Sequence, residues 1–232
     1  MSTHFFDFLI DRNLFRSRQE IKPLPPLLQR HQKLKTPPLI TISRLTGSGG
    51  RKIADLLASK LGKPWKVYDK EIMAEVAKTA KKREDFFKDF DEKSVSLVEE
   101  YINDFFGKQI PIFSGYEKIL IKVLTAIGQK GYAVIVGRGA NFLFPDSLRI
   151  RIVAPENVRL ERMVKYEPKY TRHQSIRWMK KTDFNRDEFV KRIYDKDPAD
   201  PVYYDLVINT ENISLEATTM AIYHAARYAF FR

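Results

Sequence analysis

From Leu39 to the C-terminus the chain alternates between two hydrophobic textures. Short runs rich in Ile, Val and Leu come first: Leu39-Ile-Thr-Ile-Ser43, Tyr132-Ala-Val-Ile-Val136, Leu148-Arg-Ile-Arg-Ile-Val153 and Asp205-Leu-Val-Ile-Asn209. Runs this short and this apolar predict buried strands. Val67-Tyr-Asp69 predicts a shorter one. Between them, apolar residues recur at three- and four-residue spacing, which predicts helices. These cover Ile53 to Leu61 with Gly62 as a stop, Lys70 to Lys82, residues 83–106, Tyr116 to Lys130 closed by Gly131, Pro155 to Tyr166, and Leu215 to Phe231. Pro155 suits a first helical turn. Strands separated by helices predict an α/β fold, a three-layer α/β/α arrangement around a parallel sheet.

Residues 1–37 have a different texture. Phe5, Phe6, Phe8, Leu9, Ile10, Leu14 and Phe15 can form a short amphipathic helix, and Ile21-Lys-Pro-Leu-Pro-Pro-Leu-Leu28 is too proline-rich for a helix interior or a central strand. The chain therefore divides into an N-terminal arm or linker, 1–37, and a core domain, 38–232. The arm reads as a linker with a docking helix, or as a segment that contacts a protein or lipid surface. Asp7 and Asp11 interrupt its apolar residues, so it does not read as a signal peptide. No apolar stretch approaches the roughly 20 residues of a membrane span. A cytoplasmic protein is expected.

Charge narrows the partners. Lys and Arg number 41 against 29 Asp and Glu, a net +12, which favours anionic ligands. With no cysteine, thiolate zinc sites, disulfide scaffolds and cysteine nucleophiles are excluded. His4, His31, His173 and His224 show no metal-ligand spacing. The arm and residues 170–189 hold 12 of the 41 basic residues, the rest are spread along the chain, and no nucleic-acid-binding motif accompanies them. A small phosphorylated ligand is the expected partner rather than nucleic acid.

The chemistry concentrates after the first strand, in Ser43-Arg-Leu-Thr-Gly-Ser-Gly-Gly-Arg-Lys52. A glycine-rich turn between a strand and a helix lets backbone N–H groups and the helix N-terminus approach a phosphate. The P-loop pattern G-x-x-x-x-G-K-[ST] is met in part. With Gly49 as its second glycine, Arg44 stands in the first glycine's slot, Gly50 in the lysine's and Arg51 in the Ser/Thr slot. The cationic charge has moved to Arg51 and Lys52.

Ile40 to Ala54, followed by Val67-Tyr-Asp-Lys-Glu-Ile-Met73, resembles the cytidylate kinase-like family of P-loop nucleoside monophosphate kinases, whose loop also carries Gly-Ser-Gly-Gly-Arg. Val136-Gly-Arg-Gly-Ala-Asn141 and Asp197 to Thr210 match further blocks of it. The resemblance runs from about Leu39 to the C-terminus. It implies a helical insert that binds the monophosphate, a mobile basic lid, and phosphoryl transfer from ATP to CMP or a similar monophosphate, with Mg2+. It implies that Gly47, Ser48, Gly49 and Gly50 cradle the ATP phosphates, with Arg51 or Lys52 as the accompanying cation. Arg138 and Asp69 would contact the acceptor. By its place at the start of the last strand, Asp205 is read either as an acceptor contact or as the cap of a loop. Asp183 and Arg186, with Phe189, match the lid's Asp-x-x-Arg-x-x-aromatic, placing Arg186 on the transferring phosphoryl; Arg172, Arg177, Lys180 and Lys181 are further lid cations. The sequence identifies no magnesium ligand; Ser48 is a candidate only because Arg51 stands in the usual Ser/Thr slot. Two positions depart from cytidylate kinases: Gly139 follows Arg138 where they carry an acid, and Glu75 stands where they carry an arginine. A non-catalytic nucleotide-binding module acting through the arm is thus a second reading.

Overall fold

The computed structural model describes residues 37–69, 115–166 and 170–230 of the 232-residue chain. The arm, the helices expected at Lys70 to Lys82 and 83–106, Glu75 and the expected monophosphate-binding insert lie outside the described residues. The chain divides into two compact units, residues 1–37 with 70–131, and residues 38–69 with 132–232. The described element of the first unit is helix α2 (Gly115–Lys130), which ends at Gly131.

The second unit carries a five-stranded parallel sheet. In chain order its elements begin with β1 (Leu39–Arg44), α1 (Gly50–Leu61), β2 (Lys66–Tyr68) and β3 (Ala133–Val136). The single-turn α3 (Ala140–Leu143), β4 (Leu148–Val153) and α4 (Glu156–Tyr166) follow. The chain then forms α5 (Arg172–Tyr194), β5 (Leu206–Asn209) and α6 (Leu215–Phe230). The strand order is β2-β3-β1-β4-β5. The strands sit within a residue or two of the expected runs. None of the described helices is long and apolar enough to cross a membrane.

Period-2 alternation explains the layering. Ile40 and Ile42 of β1, Val134 and Val136 of β3, and Ile150 and Ile152 of β4 face one side of the sheet, where Ile53 and Leu57 of α1 and Ile222 and Ala226 of α6 cover them. Burying each such branched side chain contributes about 1.5–3 kcal/mol. Register ties the strands at matching heights, Ile42 opposite both Val136 and Ile150. All the strands therefore end at one edge, and Arg44, Asp69, Gly137, Ala154 and Thr210 are brought to that edge together.

The segment expected as a lid is a single 23-residue helix, α5. It contains no Gly or Pro, Thr171 caps it in a capping box with Gln174, and Asp195 in the left-handed region closes it. It packs on α4 through Met179 against Leu160 and Met163.

Candidate functional site

The loop between β1 and α1 is shaped by its glycines. Gly47 and Gly49 have φ of 81° and 90°, a region that L side chains rarely adopt. A Cβ at Gly47 would also stand 2.7 Å from the Arg159 carbonyl oxygen. Ser48 N–H donates to the Leu45 carbonyl at 3.2 Å, which makes the turn tight. Gly49 is the N-cap of α1 and no side chain caps it. The first-turn N–H groups of a helix have no preceding carbonyl to bond, and they lie at the positive end of its dipole. This is a cradle for an anion.

The loop is braced from beneath. Arg162 Nη1 and Thr210 Oγ1 donate to the Ser48 carbonyl at 3.3 and 2.9 Å. The Ser48 hydroxyl donates to the Leu45 carbonyl at 2.8 Å and lies 3.2 Å from that of Ile152. The residue is fully buried. This corrects the expectation of Ser48 as a magnesium contact, because its side chain serves the turn and faces inward; its backbone stays in the loop.

α5 reaches the loop from above. Asp183 Oδ1 accepts from Thr46 N at 2.8 Å and from Thr46 Oγ1 at 2.6 Å. Its other oxygen accepts from Arg159 Nη1 at 2.6 Å, and the same guanidinium nitrogen donates to the Thr46 carbonyl at 3.1 Å. Arg186 Nη1 donates to Thr46 Oγ1 at 2.9 Å. Asp183 and Arg186 are three residues apart and share a helix face, so both reach one threonine. Residues 137 and 140 apart in sequence, in the loop and in α5, are thus joined by charge-assisted hydrogen bonds.

A second group stands beside it. Asp69, just after β2, accepts from Arg44 Nη2 on Oδ1 and from Arg51 Nη1 on Oδ2, both at 3.2 Å. One buried carboxylate therefore serves two guanidiniums. Burial, then the nearby Arg186 charge, pulls Arg44 down to about 9; Asp69 opposes the shift and Arg138 adds to it. Arg44 remains charged at neutral pH. Burial likewise lowers Arg186, with Asp183 opposing and Arg138 adding.

Arg138 completes the ring. It follows β3 with φ of 60°, between Gly137 at 83° and Gly139 at 66°. A non-glycine residue held there costs of order 1–3 kcal/mol and such strain clusters at functional sites. Arg138 is exposed and makes no hydrogen bond or ion pair among the described residues. A side chain at Gly139 would collide with the Tyr194 ring, which explains why no acid stands there.

The geometry thus brings Gly47, Ser48, Gly49, Gly50, Arg51, Asp69, Arg138, Asp183 and Arg186 to one edge of the sheet. Lys52, although next to the loop, is exposed on the helix. Arg172, Arg177, Lys180 and Lys181 are also exposed, and Lys180 pairs with Glu156 at 3.3 Å. Asp205 is a correction. It precedes β5 and so lies at the opposite edge, where it accepts from Arg149 N at 2.8 Å and from Arg149 Nη2 at 2.7 Å. It clips two strands and does not reach the loop. Reading the sequence misses Thr46 and Arg159, and offers Arg44 as a source of the loop's positive charge only beside Arg51 and Lys52, with Arg51 favoured by the family's pattern. Thr46 had a signal, its position inside the loop. Arg159 had none, being one basic residue among several on a helix.

Among the described residues no group of three His, Asp or Glu side chains could hold a metal ion. A magnesium ion bound mainly by substrate phosphates needs only one or two protein carboxylates.

A model of a family described as cytidylate kinase-like matches residues 39–212. No curated protein sequence matches the chain. Among solved structures, the chain is similar to a crystal structure of an uncharacterized protein from Eubacterium ventriosum ATCC 27560, with 22% identity, a TM-score of 0.61, and coverage of 82% of this chain and 98% of that one. That likeness concerns the fold. Shikimate kinase from Bacteroides thetaiotaomicron aligns at 13% identity and a TM-score of 0.44, covering 81% of this chain and 97% of its own. TT1252 from Thermus thermophilus aligns at 16% and 0.43, covering 82% and 98%.

Proposed function

The chain belongs to the cytidylate kinase-like family, and on that premise we propose that it transfers the γ-phosphoryl group of ATP to CMP or a similar nucleoside monophosphate. The observation that carries this is the ring of Arg44, Arg51, Arg138 and Arg186 around an uncapped helix N-terminus, in which, among the described residues, Arg44 and Arg51 pair with Asp69 and Arg186 with Asp183. Phosphoryl transfer needs little covalent help from a protein; positioning and charge neutralisation supply most of the acceleration.

In the proposed reaction an oxygen of the acceptor monophosphate forms a bond to the γ-phosphorus. The bond from that phosphorus to the β–γ bridging oxygen breaks, and ADP leaves. The loop amides from Gly47 to Gly50 hold the donor phosphates. Arg138, exposed and otherwise unengaged, takes the acceptor phosphate. Arg186, fixed through Thr46, neutralises the phosphoryl in flight. Arg51 flanks the donor, and Asp69 holds Arg51 and Arg44 at their station. Magnesium brought in by ATP would supply charge screening of its phosphates.

A second reading, a nucleotide-binding module without turnover, has one observation in its favour: Tyr194 fills the space beside Gly139, where cytidylate kinases carry an acid. Incubating the full chain with Mg-ATP and each of CMP, UMP, AMP and GMP, and following ADP, decides between them. Acceptor-dependent ADP with at least one monophosphate supports the kinase. Tight ATP binding with no ADP from any acceptor establishes the module.

A further inference from the structure

The P-loop pattern places glycine at the end of the strand and lysine at the start of the helix. Here the two residue types stand in each other's place, with Arg44 at the strand and Gly50 at the helix. Two independent facts connect them. A Cβ at Gly50 would lie 2.8 Å from Arg44 Cβ and 3.0 Å from Arg44 Cγ. The φ of Gly50 is not in the left-handed region, so space and not backbone strain excludes a side chain there. Beyond that point the Arg44 side chain continues to Gly137, where a Cβ would collide with its guanidinium, and to Asp69 at 3.2 Å. Its stem therefore occupies the space a lysine at position 50 would need. Its charge comes to rest between the loop and the Arg138 turn.

We infer that Arg44 is the phosphate-binding cation of this loop, an exchange in which the positive charge has crossed from the helix to the strand and left Gly50 as the space it passes through. Arg51 and Lys52 are then flanking charges. The Arg44 side chain is 14% exposed and the Asp69 side chain 5%, so the charge is held in a partly dry setting where an anion is bound more strongly than at the surface. Burial, Arg186 and Arg138 all disfavour the Arg44 charge, and a bound polyphosphate would relieve that. A guanidinium can also bridge two oxygens, where lysine is a point charge. The inference rests on the kinase reading only in taking a polyphosphate as the ligand.

The test is binding of inorganic tripolyphosphate to the full chain by calorimetry, with a thermal melt of each variant. Arg44→Ala is expected to weaken binding by about ten- to a hundredfold, the scale of one charge-assisted contact. Gly50→Lys alone should also bind weakly and melt lower, because both side chains claim one space. Arg44→Gly combined with Gly50→Lys, which rebuilds the ordinary pattern, should bind several-fold or more tighter than Gly50→Lys and regain its melting temperature. Arg44→Ala binding like the wild type overturns the exchange, as does a double variant no better than Gly50→Lys, or a wild type that does not bind tripolyphosphate. Should Arg44→Ala fail to fold, the comparison of the double variant with Gly50→Lys still decides. Tripolyphosphate binding by the wild type without turnover of any monophosphate removes the kinase reading and leaves the exchange standing. Turnover that Arg44→Ala does not impair does the reverse.

Discussion

Two arginine–aspartate pairs sit at opposite ends of the same sheet and behave in opposite ways. At the edge where the strands begin, Arg149 and Asp205 meet through two side-chain hydrogen bonds and a backbone one. The hydrogen bond that Arg149 donates to Asp205 raises Arg149 above its ordinary value. Burial alone would raise Asp205, but the hydrogen bonds and charge of Arg149 hold it below. Each group stabilises the other's charge. At the edge where the strands end, Asp69 is shared by Arg44 and Arg51, and Arg44 is pulled down by burial and by its cationic neighbours. The first pair is complete, and a strand clip is all it has to be. The second is short of negative charge, a deficit that a phosphate would supply under the proposed function. A salt bridge by itself says little about function; the surplus of one sign around it says more.

The contrast can be broken most severely at Asp183. Asp183→Ala leaves the Arg159 guanidinium, 11% exposed, without its carboxylate and leaves Arg186 as the remaining described hydrogen bond from α5 to Thr46. Removing one partner of a buried pair typically costs about 3–5 kcal/mol. A clear fall in melting temperature and loss of turnover are expected; unchanged stability would show that α5 does not hold the loop.

Arg51→Ala and Lys52→Ala sharpen the same edge. Arg51 pairs with Asp69 and Lys52 faces solvent, so Arg51→Ala should lower turnover by about tenfold and Lys52→Ala by much less. The reverse order in steady-state kinetics would shift the loop's alignment by one residue.

Asp205→Asn tests the other edge. Its side chain is 38% exposed, so solvent screening limits the stability effect to under about 1 kcal/mol. Turnover should not change. With its value lowered in the folded state, Asp205 contributes stability above its ordinary 3.8, and that contribution is lost as pH falls through the lower folded value. Melts of wild type and variant should therefore converge in acid.

The smallest effect is at Asp187, next to Arg186. Burial raises it, with Arg151 opposing. A raised folded value means that its stability contribution is present below the ordinary value and lost as pH rises through the folded one. Asp187→Asn should thus melt slightly higher than wild type at pH 7; a lower melt would mean that the charge is needed.

Much of this arrangement is written locally. The four main strands, the loop glycines and the helices after them follow from apolar spacing and from Gly47 to Gly50, because each depends on near neighbours. Asp183 and Arg186 were singled out by their resemblance, with Phe189, to the family's Asp-x-x-Arg-x-x-aromatic lid pattern. The docking of their helix was not legible, since it depends on Thr46 and Arg159, far away in sequence. Asp205 misled for a related reason: a carboxylate next to a strand looks the same at either end, and only the register with Arg149 shows which edge it occupies. Arg44 was legible as one of three candidate cations, with Arg51 favoured by the family's pattern. The packing of its stem over Gly50, on which the proposed role rests, is not legible in the sequence.

The most direct test of the account compares wild type, Arg186→Ala and Asp205→Asn with the best monophosphate, measuring kcat and ATP affinity side by side. Arg186 is proposed to act on the phosphoryl in flight, so Arg186→Ala should lower kcat by at least about tenfold with a much smaller change in ATP affinity, while Asp205→Asn matches wild type. An Arg186→Ala enzyme with normal kcat, or an Asp205→Asn enzyme as impaired as Arg186→Ala, would contradict it.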